Sequence, residues 1–214
     1  MIAIIDYGMG NLGSVAKAFA ALGAETKVTR APADLRGARK IVLPGVGSFG
    51  NAMFGLKRLK LIKALLDGIK DGKPYLGLCL GMQVLFEESR EGGRRKGLGI
   101  LQGSIVSFKK SRGLKVPHMG WNRIKRTRGK IECPLLKGVP DRAWMYFVHS
   151  YYPAPRDKAI IAASTDYGID FASMVWKDNI YATQFHPEKS QGWGLKILEN
   201  FVKLRIQYAG NTRD

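Results

Sequence analysis

Gly77-Leu78-Cys79-Leu80-Gly81 is the stretch that decides the fold of this chain. An apolar run from Tyr75 to Leu78 ends on a cysteine with a glycine two residues away on each side. The residues that follow, Met82-Gln83-Val84-Leu85-Phe86-Glu87-Glu88, have helix-forming composition. The stretch therefore reads as strand, sharp turn and helix, with a thiol at the apex. A side chain on so strained a turn needs small neighbours, because a Cβ at either flanking position meets adjacent elements. The apex also sits at a helix N-terminus, where free N–H groups and the helix dipole favour a thiolate over a thiol. The competing reading is a buried, inert core cysteine, the usual fate of a free thiol. The paired glycines weigh against it, and a second motif weighs more.

That motif is Gln184-Phe185-His186-Pro187-Glu188, after the strand-like run Ile180-Tyr181-Ala182-Thr183. In extended backbone alternate residues point to one side, so His186 and Glu188 are expected to face one site, with Pro187 stiffening the link. A carboxylate beside an imidazole fixes its tautomer and stabilises the imidazolium, the orienting role in a nucleophilic triad. A lone histidine is more often structural or solvated. One that closes a strand, in a chain that also carries a cysteine elbow, favours catalysis.

Upstream of the elbow, strand and helix patterns alternate. Residues 1–6 read as a first strand, and the turn Asp6-Tyr7-Gly8-Met9-Gly10-Asn11 leads into a helix with Leu12, Val15, Ala16, Phe19 and Leu22 on one face, stopped by Gly23. Residues 25–29 and 40–43 read as strands, the latter ending in Pro44-Gly45-Val46-Gly47; residues 49–66 read as helical with a break near Arg58. This alternation predicts an α/β fold with an open, mostly parallel central sheet flanked by helices, whose sites gather at the carboxyl ends of strands. After Gly92 short strand-like runs dominate, at 103–108, 122–125, 144–150, 160–165, 172–176 and 180–184. They are expected to extend the sheet or build a second, antiparallel one in the C-terminal half. Residues 194–208, with Leu195, Leu198, Phe201, Val202 and Ile206, form an amphipathic closing helix. No linker interrupts the pattern, so residues 1–214 are expected to form one domain.

Composition narrows the class. Hydrophobic content of 45% with 26 glycines fits a globular chain rich in tight turns. With two cysteines, no bilayer-length apolar run and no signal peptide at the N-terminus, a reduced, cytoplasmic protein is expected, without a membrane. The formal charge of +18 is large. Such a field attracts nucleic acid, acidic protein or phosphorylated metabolites. The basic residues are dispersed, though: Lys57-Arg58-Lys60, Arg94-Arg95-Lys96, Lys109-Lys110-Arg112 and Arg123-Lys125-Arg126-Arg128-Lys130. No nucleic-acid motif accompanies them, so specific nucleic-acid binding is not expected.

The Cys79 elbow followed by His186-x-Glu188 resembles the class I (triad) glutamine amidotransferases, and the resemblance spans nearly the whole chain. Three stretches look like those of the glutaminase subunits of imidazole glycerol phosphate synthases: Pro44-Gly45-Val46-Gly47-Ser48-Phe49-Gly50, Pro117-His118-Met119-Gly120-Trp121-Asn122 and Tyr146-Phe147-Val148-His149-Ser150-Tyr151. Gly81-Met82-Gln83 points the same way, because several members of the class carry histidine in the middle. The resemblance implies a Cys79 nucleophile, a His186 acid–base group and an orienting Glu188. Leu80 N–H is one oxyanion donor by its place after the nucleophile. By resemblance the Gly45-Val46-Gly47 loop gives the second, through Val46 N–H, with Gly45 free to let its peptide reorient; read alone, that loop is a plain strand-ending turn.

Less specific positions follow from the same resemblance. Gln83 and Glu91 fall where the family binds the amino-acid end of glutamine, and Ser150 and Tyr151 where it lines the pocket; Glu91 reads equally as a solvated helix end. Tyr146 and Lys189 are expected at the mouth facing a partner, with Pro117, Met119, Trp121 and Asn122 as further interface candidates; Asn11 suits that face or a helix cap. His118 and His149 read as structural or interface residues, and Cys133 as inert. The implied partner is a barrel-fold cyclase subunit that receives ammonia, the substrate is glutamine, and no metal or cofactor is implied. The rival readings are the glutaminases of pyridoxal phosphate, anthranilate or GMP synthesis, a stand-alone cysteine hydrolase, or a non-catalytic binding module.

Overall fold

Ile2, Ala3, Ile4 and Ile5 are all buried, as are Ile41, Val42 and Leu43 and the run Tyr75 to Leu78. Strands this continuously apolar belong in a parallel sheet covered on both faces. The computed structural model has that architecture, and it describes residues 1–109, 114–127 and 132–205. In chain order the first half runs β1 (Ile2–Ile5), α1 (Leu12–Ala21), β2 (Thr26–Thr29), α2 (Pro32–Gly37), β3 (Lys40–Leu43), α3 (Phe49–Arg58), α4 (Leu61–Lys70), β4 (Tyr75–Leu78) and α5 (Leu80–Gln83). The second half runs β5 (Phe86–Ser89), β6 (Arg95–Lys96), β7 (Leu101–Ser107), β8 (His118–Arg123), β9 (Lys125–Arg126), β10 (Trp144–His149), β11 (Tyr151–Pro155), β12 (Ile161–Asp166), β13 (Asp170–Lys177), β14 (Ile180–Thr183) and α6 (Gln191–Lys203).

The main sheet has eight strands in the order β2-β1-β3-β4-β14-β13-β12-β9. Strands β2 through β14 in that order pair in parallel, and β13, β12 and β9 continue it antiparallel. Alternate side chains feed two cores. Ala3, Ile5, Ile41, Leu43 and Tyr75 pack with Leu35, Phe49, Leu56 and Leu65 from α2, α3 and α4. Ile2, Ile4, Val42, Leu76 and Leu78 pack with Val15 and Phe19 of α1 and with Ile197, Leu198 and Phe201 of α6. A four-stranded sheet, β11-β7-β5-β6, and a two-stranded pair, β10-β8, hold the remaining strands. The later runs thus do both things expected of them: some extend the main sheet and others build separate pairings.

Two local expectations change. The helix after Cys79 lasts one turn, Leu80 to Gln83, and the chain returns as strand β5. Val84, Leu85 and Phe86 are buried, their carbonyls accept from Leu98, Ile100 and Gly99, and Glu87 and Glu88 pair with Arg156 and Arg94. Those cross-strand partners override a helical composition. The helical stretch 49–66 does break after Arg58, at Lys60 in the left-handed region with φ 55°, and then continues to Lys70. The expected helix end at 206–208, and Lys110, Arg112, Arg128 and Lys130, lie outside the described residues.

The elbow is tight. A Cβ on Gly77 would lie 2.5 Å from the Gly81 carbonyl oxygen, and one on Gly81 would overlap the Leu43 carbonyl of the neighbouring strand. Both obstacles are backbone, so neither side steps away. Gly81→Ala is therefore expected to destabilise the chain by about 3 kcal/mol or more, at the upper end of overpacking costs. Urea unfolding of the variant against the parent measures this, and an unchanged midpoint would refute the packing argument.

Candidate active site

Cys79 stands between β4 and α5 with φ 52° and ψ −102°, a strained conformation for a residue with a side chain. Its N–H donates to the Thr183 carbonyl at 2.7 Å, while its own carbonyl accepts from Met82 and Gln83. The following helix is a single turn, so the dipole expected to act on the sulfur is that of one turn only. The sulfur accepts from Gln184 Nε2 at 3.4 Å and faces the Val148 carbonyl at 3.9 Å.

Strand β14 lies parallel to β4, so its carboxyl end delivers residues 184–188 beside the elbow. His186 Nδ1 and Glu188 Oε1 are 2.8 Å apart and both side chains are buried. The link differs from the extended one expected. Residues Pro187–Lys189 form a 3-10 turn, and the carboxylate reaches back across it to the ring. The His186 N–H donates to the Tyr146 carbonyl, and Ser190 Oγ donates to the His186 carbonyl while accepting from Tyr146 N–H. The turn is thereby tied to β10. His186 Nε2 and Glu188 Oε2 are buried without a partner. Burial alone would depress the His186 pKa, but the Cys79 sulfur and the Glu188 carboxylate outweigh it and lift the value to about 10. An imidazole in this setting readily holds a proton taken from the thiol.

A cavity of about 210 Å³ opens onto the sulfur, lined by Val46, Gly47, Leu80, Gln83, Glu91, Pro117, Val148, His149, Ser150 and Tyr151. It is smaller than the ~300–1,000 Å³ typical of drug-sized pockets and suits a single amino acid. All four positions expected to meet substrate line it. Glu91 is not a solvated helix end: its Oε2 accepts from Phe49 N–H at the start of α3. Gln83 gives Nε2 to the Tyr151 carbonyl and to Gln184 Oε1, which leaves its Oε1 for a ligand.

The loop after β3 meets the elbow directly. The Gly45 carbonyl accepts from Leu80 N–H at 3.4 Å. A Cβ on Gly45 would overlap the Tyr7 hydroxyl and sit 2.9 Å from Leu80 Cβ. Glycine is required there already in this orientation, not only for a reoriented peptide. The buried Tyr7 hydroxyl has no partner, and burial, then the Cys79 charge, raise its pKa.

The expected interface residues divide. Met119 and Trp121 are exposed on β8, and Tyr146 stacks edge-on with Trp121 and carries Lys189 Nζ 5.8 Å from its ring centre. Pro117 instead lines the cavity. Asn11 caps α1 by accepting from Ser14 N–H. Asn122 points inward, to His118 and the Asp166 carbonyl. His118 and His149 are a buried pair, 2.9 Å between Nδ1 and Nε2. Cys133 is buried, which pushes its thiol up to about 12. Gln184, Ser190, Val148 and Tyr7 had no distinguishing signal in the sequence beyond lying near a motif. Among the described residues no group of His, Cys, Asp and Glu is arranged to hold a metal ion, and no helix is long and apolar enough to cross a membrane.

Residues 3–204 match the family model for glutamine amidotransferase class-I. The chain belongs to the class-I glutamine amidotransferases. Within this family it is 52% identical over 203 residues to the imidazole glycerol phosphate synthase subunit HisH of Desulfitobacterium hafniense, covering 95% of this chain and 94% of the relative. It is 47% identical over 206 residues to the subunit of the same name from Dehalococcoides mccartyi, covering 96% and 98%. Solved structures at lower identity share the fold. PurLQS from Thermotoga maritima matches at 17% identity with a TM-score of 0.74 over 94% of this chain and 96% of that one. The glutaminase domain of Trypanosoma brucei CTPS matches at 17% with a TM-score of 0.63 over 97% and 95%.

The histidine pair makes this amidotransferase sensitive to acid. Burial depresses His118 to about 4 and His149 to about 3, against about 6.5 in the unfolded chain. The unfolded state therefore takes up protons first, and stability falls as pH drops from about 6.5 toward 4. His186, shifted upward, offsets a little of this. We expect a loss of about 3 kcal/mol between pH 7 and pH 5, read as a lower urea midpoint. Equal midpoints at the two pH values would contradict burial of the pair in neutral form.

Proposed function

We propose that this chain is the glutaminase subunit of an imidazole glycerol phosphate synthase, working as one domain over residues 1–214 in the cytoplasm. The observation that carries the reaction is the Cys79 thiol on a strained elbow, in an amino-acid-sized cavity, beside a buried His186–Glu188 pair. The relatives at about half identity over nearly the whole chain support the choice of synthase over the glutaminases of other pathways.

Amide hydrolysis needs a nucleophile, because an amide is a poor electrophile and ammonia a poor leaving group. Cys79 passes its proton to His186 Nε2 and attacks the side-chain carbonyl carbon of glutamine. The tetrahedral intermediate collapses as His186 returns the proton to the departing nitrogen, releasing ammonia and leaving a γ-glutamyl thioester. His186 then activates water, which attacks the thioester, frees glutamate and restores the thiol. Glu188 holds the ring and stabilises its charge. Gln83, Glu91, Ser150 and Tyr151 bind the amino-acid end, Gln83 through its free Oε1 and Glu91 through its unengaged oxygen. The steps use protein groups and water alone.

The oxyanion donors are Leu80 N–H and Val46 N–H, in the loop of Gly45 and Gly47. With the Gly45 carbonyl on Leu80 N–H, the first donor is covered. Reorienting the Gly45–Val46 peptide would uncover it and bring in the second. One missing donor costs about two to three powers of ten in rate. The ammonia goes to a barrel-fold cyclase subunit, which uses it to make imidazole glycerol phosphate and aminoimidazole carboxamide ribonucleotide. Met119, Trp121, Tyr146 and Lys189 face that subunit, and Asn11, Pro117 and Asn122 are the further candidates for contact with it.

Division of labour gives the first test. Cys79→Ala in the reconstituted complex is expected to abolish glutamine-dependent synthesis while synthesis from added ammonium salt survives; parallel loss of both in an assembled complex would overturn the assignment. The covered donor gives the second. The isolated chain should hydrolyse glutamine at least about 100-fold more slowly than the complex with its nucleotide bound. Full glutaminase activity without a partner would refute the peptide switch.

A further inference from the structure

A continuous set of hydrogen bonds links the β8–β10 pair to the Cys79 sulfur, and the donors on both sides are fixed by the Tyr151 carbonyl on which they converge. That oxygen only accepts. His149 Nδ1, 2.9 Å away, must therefore carry its hydrogen, which leaves His149 Nε2 as an acceptor. His118 Nδ1, 2.9 Å from it, must donate, and His118 Nε2 in turn accepts from Asn122 Nδ2 at 3.2 Å. Asn122 is oriented independently, since it also donates to the Asp166 carbonyl while its Oδ1 accepts from Arg123 N–H. On the other side, the Tyr151 carbonyl accepts from Gln83 Nε2 at 3.0 Å. The second hydrogen of that nitrogen goes to Gln184 Oε1 at 3.1 Å, so Gln184 turns its Nε2 to the sulfur. Gln83, Gln184, His118 and His149 are all buried, so water does not compete for these bonds.

The outcome at the sulfur depends on this order. A carboxamide turned the other way would present its oxygen, which suits a thiol but repels a thiolate. In the observed order the thiol faces the Val148 carbonyl and the sulfur receives the Gln184 N–H. When the proton leaves, the Val148 carbonyl no longer suits the charged sulfur, whereas the Gln184 contact still favours it, together with the newly charged His186. We propose that Gln184 is a further catalytic residue, donating an N–H to the Cys79 sulfur, and that the His118–His149 pair is a positioning element that holds in place the Tyr151 carbonyl, the acceptor that orients Gln83 and through it the Gln184 carboxamide. This rests on Cys79 being the glutaminase nucleophile. Gln83 is the joint between the two: its amide cannot flip without setting its oxygen against two other oxygens.

The test uses the complex with the cyclase subunit and reads glutaminase kcat and KM, with co-elution of the two subunits in gel filtration reporting assembly. Gln184→Met, which removes the donor at similar length, is expected to lower kcat about 10- to 100-fold, as for loss of one hydrogen bond to a charged group, with KM changed little. Gln184→Glu, which turns a carboxylate oxygen to the sulfur, should be lower still. His149→Asn keeps a donor near the Tyr151 carbonyl and should retain most of kcat, whereas His149→Phe, which fills the site without a donor, should lose it. Nitrogen-15 NMR of the histidine-labelled protein should show His118 and His149 each as one neutral tautomer with the hydrogen on Nδ1. Wild-type kcat in both Gln184 variants, with Cys79→Ala inactive, would overturn the proposal and leave the nucleophile in place. Equal rates for His149→Asn and His149→Phe, or hydrogen on Nε2, would overturn the positioning role. An active Cys79→Ala complex would remove the function reading and this inference together.

Discussion

The close approach of backbone at the Cys79 elbow is the constraint on which the rest depends. Gly81 lies against the Leu43 carbonyl and Gly77 against the Gly81 carbonyl, so β3, β4 and α5 are locked without any side chain between them. Cys79 is held at φ 52° by its bond to Thr183 of β14. A non-glycine residue in that conformation costs about 1–3 kcal/mol and persists only where its surroundings over-determine it. Here the two cores on either face of the sheet do so. The strand order β3-β4-β14 then explains why residues 45, 79 and 186, remote in sequence, meet at one edge. They are the carboxyl ends of three adjacent parallel strands.

The antiparallel half of the chain completes the site rather than merely enlarging the sheet. β10 receives the His186 N–H on the Tyr146 carbonyl, and Ser190 Oγ bonds both strand and turn. The same strand pairs with β8, which carries the exposed Met119 and Trp121. One strand therefore serves two roles, fixing the acid–base histidine on one side and presenting an apolar surface on the other. A displacement of β10 against β14 would strain the turn that carries His186, because the Tyr146 carbonyl and N–H hold that turn through His186 N–H and Ser190 Oγ.

What the sequence revealed and what it hid divide by the range of the interactions. The elbow was legible because glycine at 77 and 81 has a local steric cause, and the parallel strands because burial on both faces leaves continuous apolar runs. The His186–Glu188 pair was legible from spacing, although the backbone between them is a turn and not extended. Strand β5 was hidden, since its residues have helical composition and owe their conformation to the N–H donors of residues 97–100 and to arginines elsewhere in the chain. Gln184 and Ser190 were hidden for a related reason. A polar residue that matters through one bond to a distant partner leaves no periodicity, and only the fold brings Gln184 to Cys79 across a separation of 105 residues.

The polar groups left unpaired show where the fold tolerates energetic cost. Among the described residues five buried side-chain atoms have no hydrogen-bond partner: Tyr7 Oη, His186 Nε2 and Glu188 Oε2 lie around the elbow, and Thr165 Oγ1 and Ser173 Oγ lie on β12 and β13. Each such group costs about 1–3 kcal/mol, so the three around the elbow are not neutral for stability. By contrast the neighbouring network through Gln83, Gln184, His149 and His118 has its donors assigned one by one. Within the site itself the contrast separates two kinds of atom. Those that must not move are saturated by protein, while those that must exchange protons or meet a changing charge are left open. The tyrosine hydroxyl beside Gly45 belongs to the second kind, next to the one peptide whose orientation decides whether Leu80 N–H is covered or free.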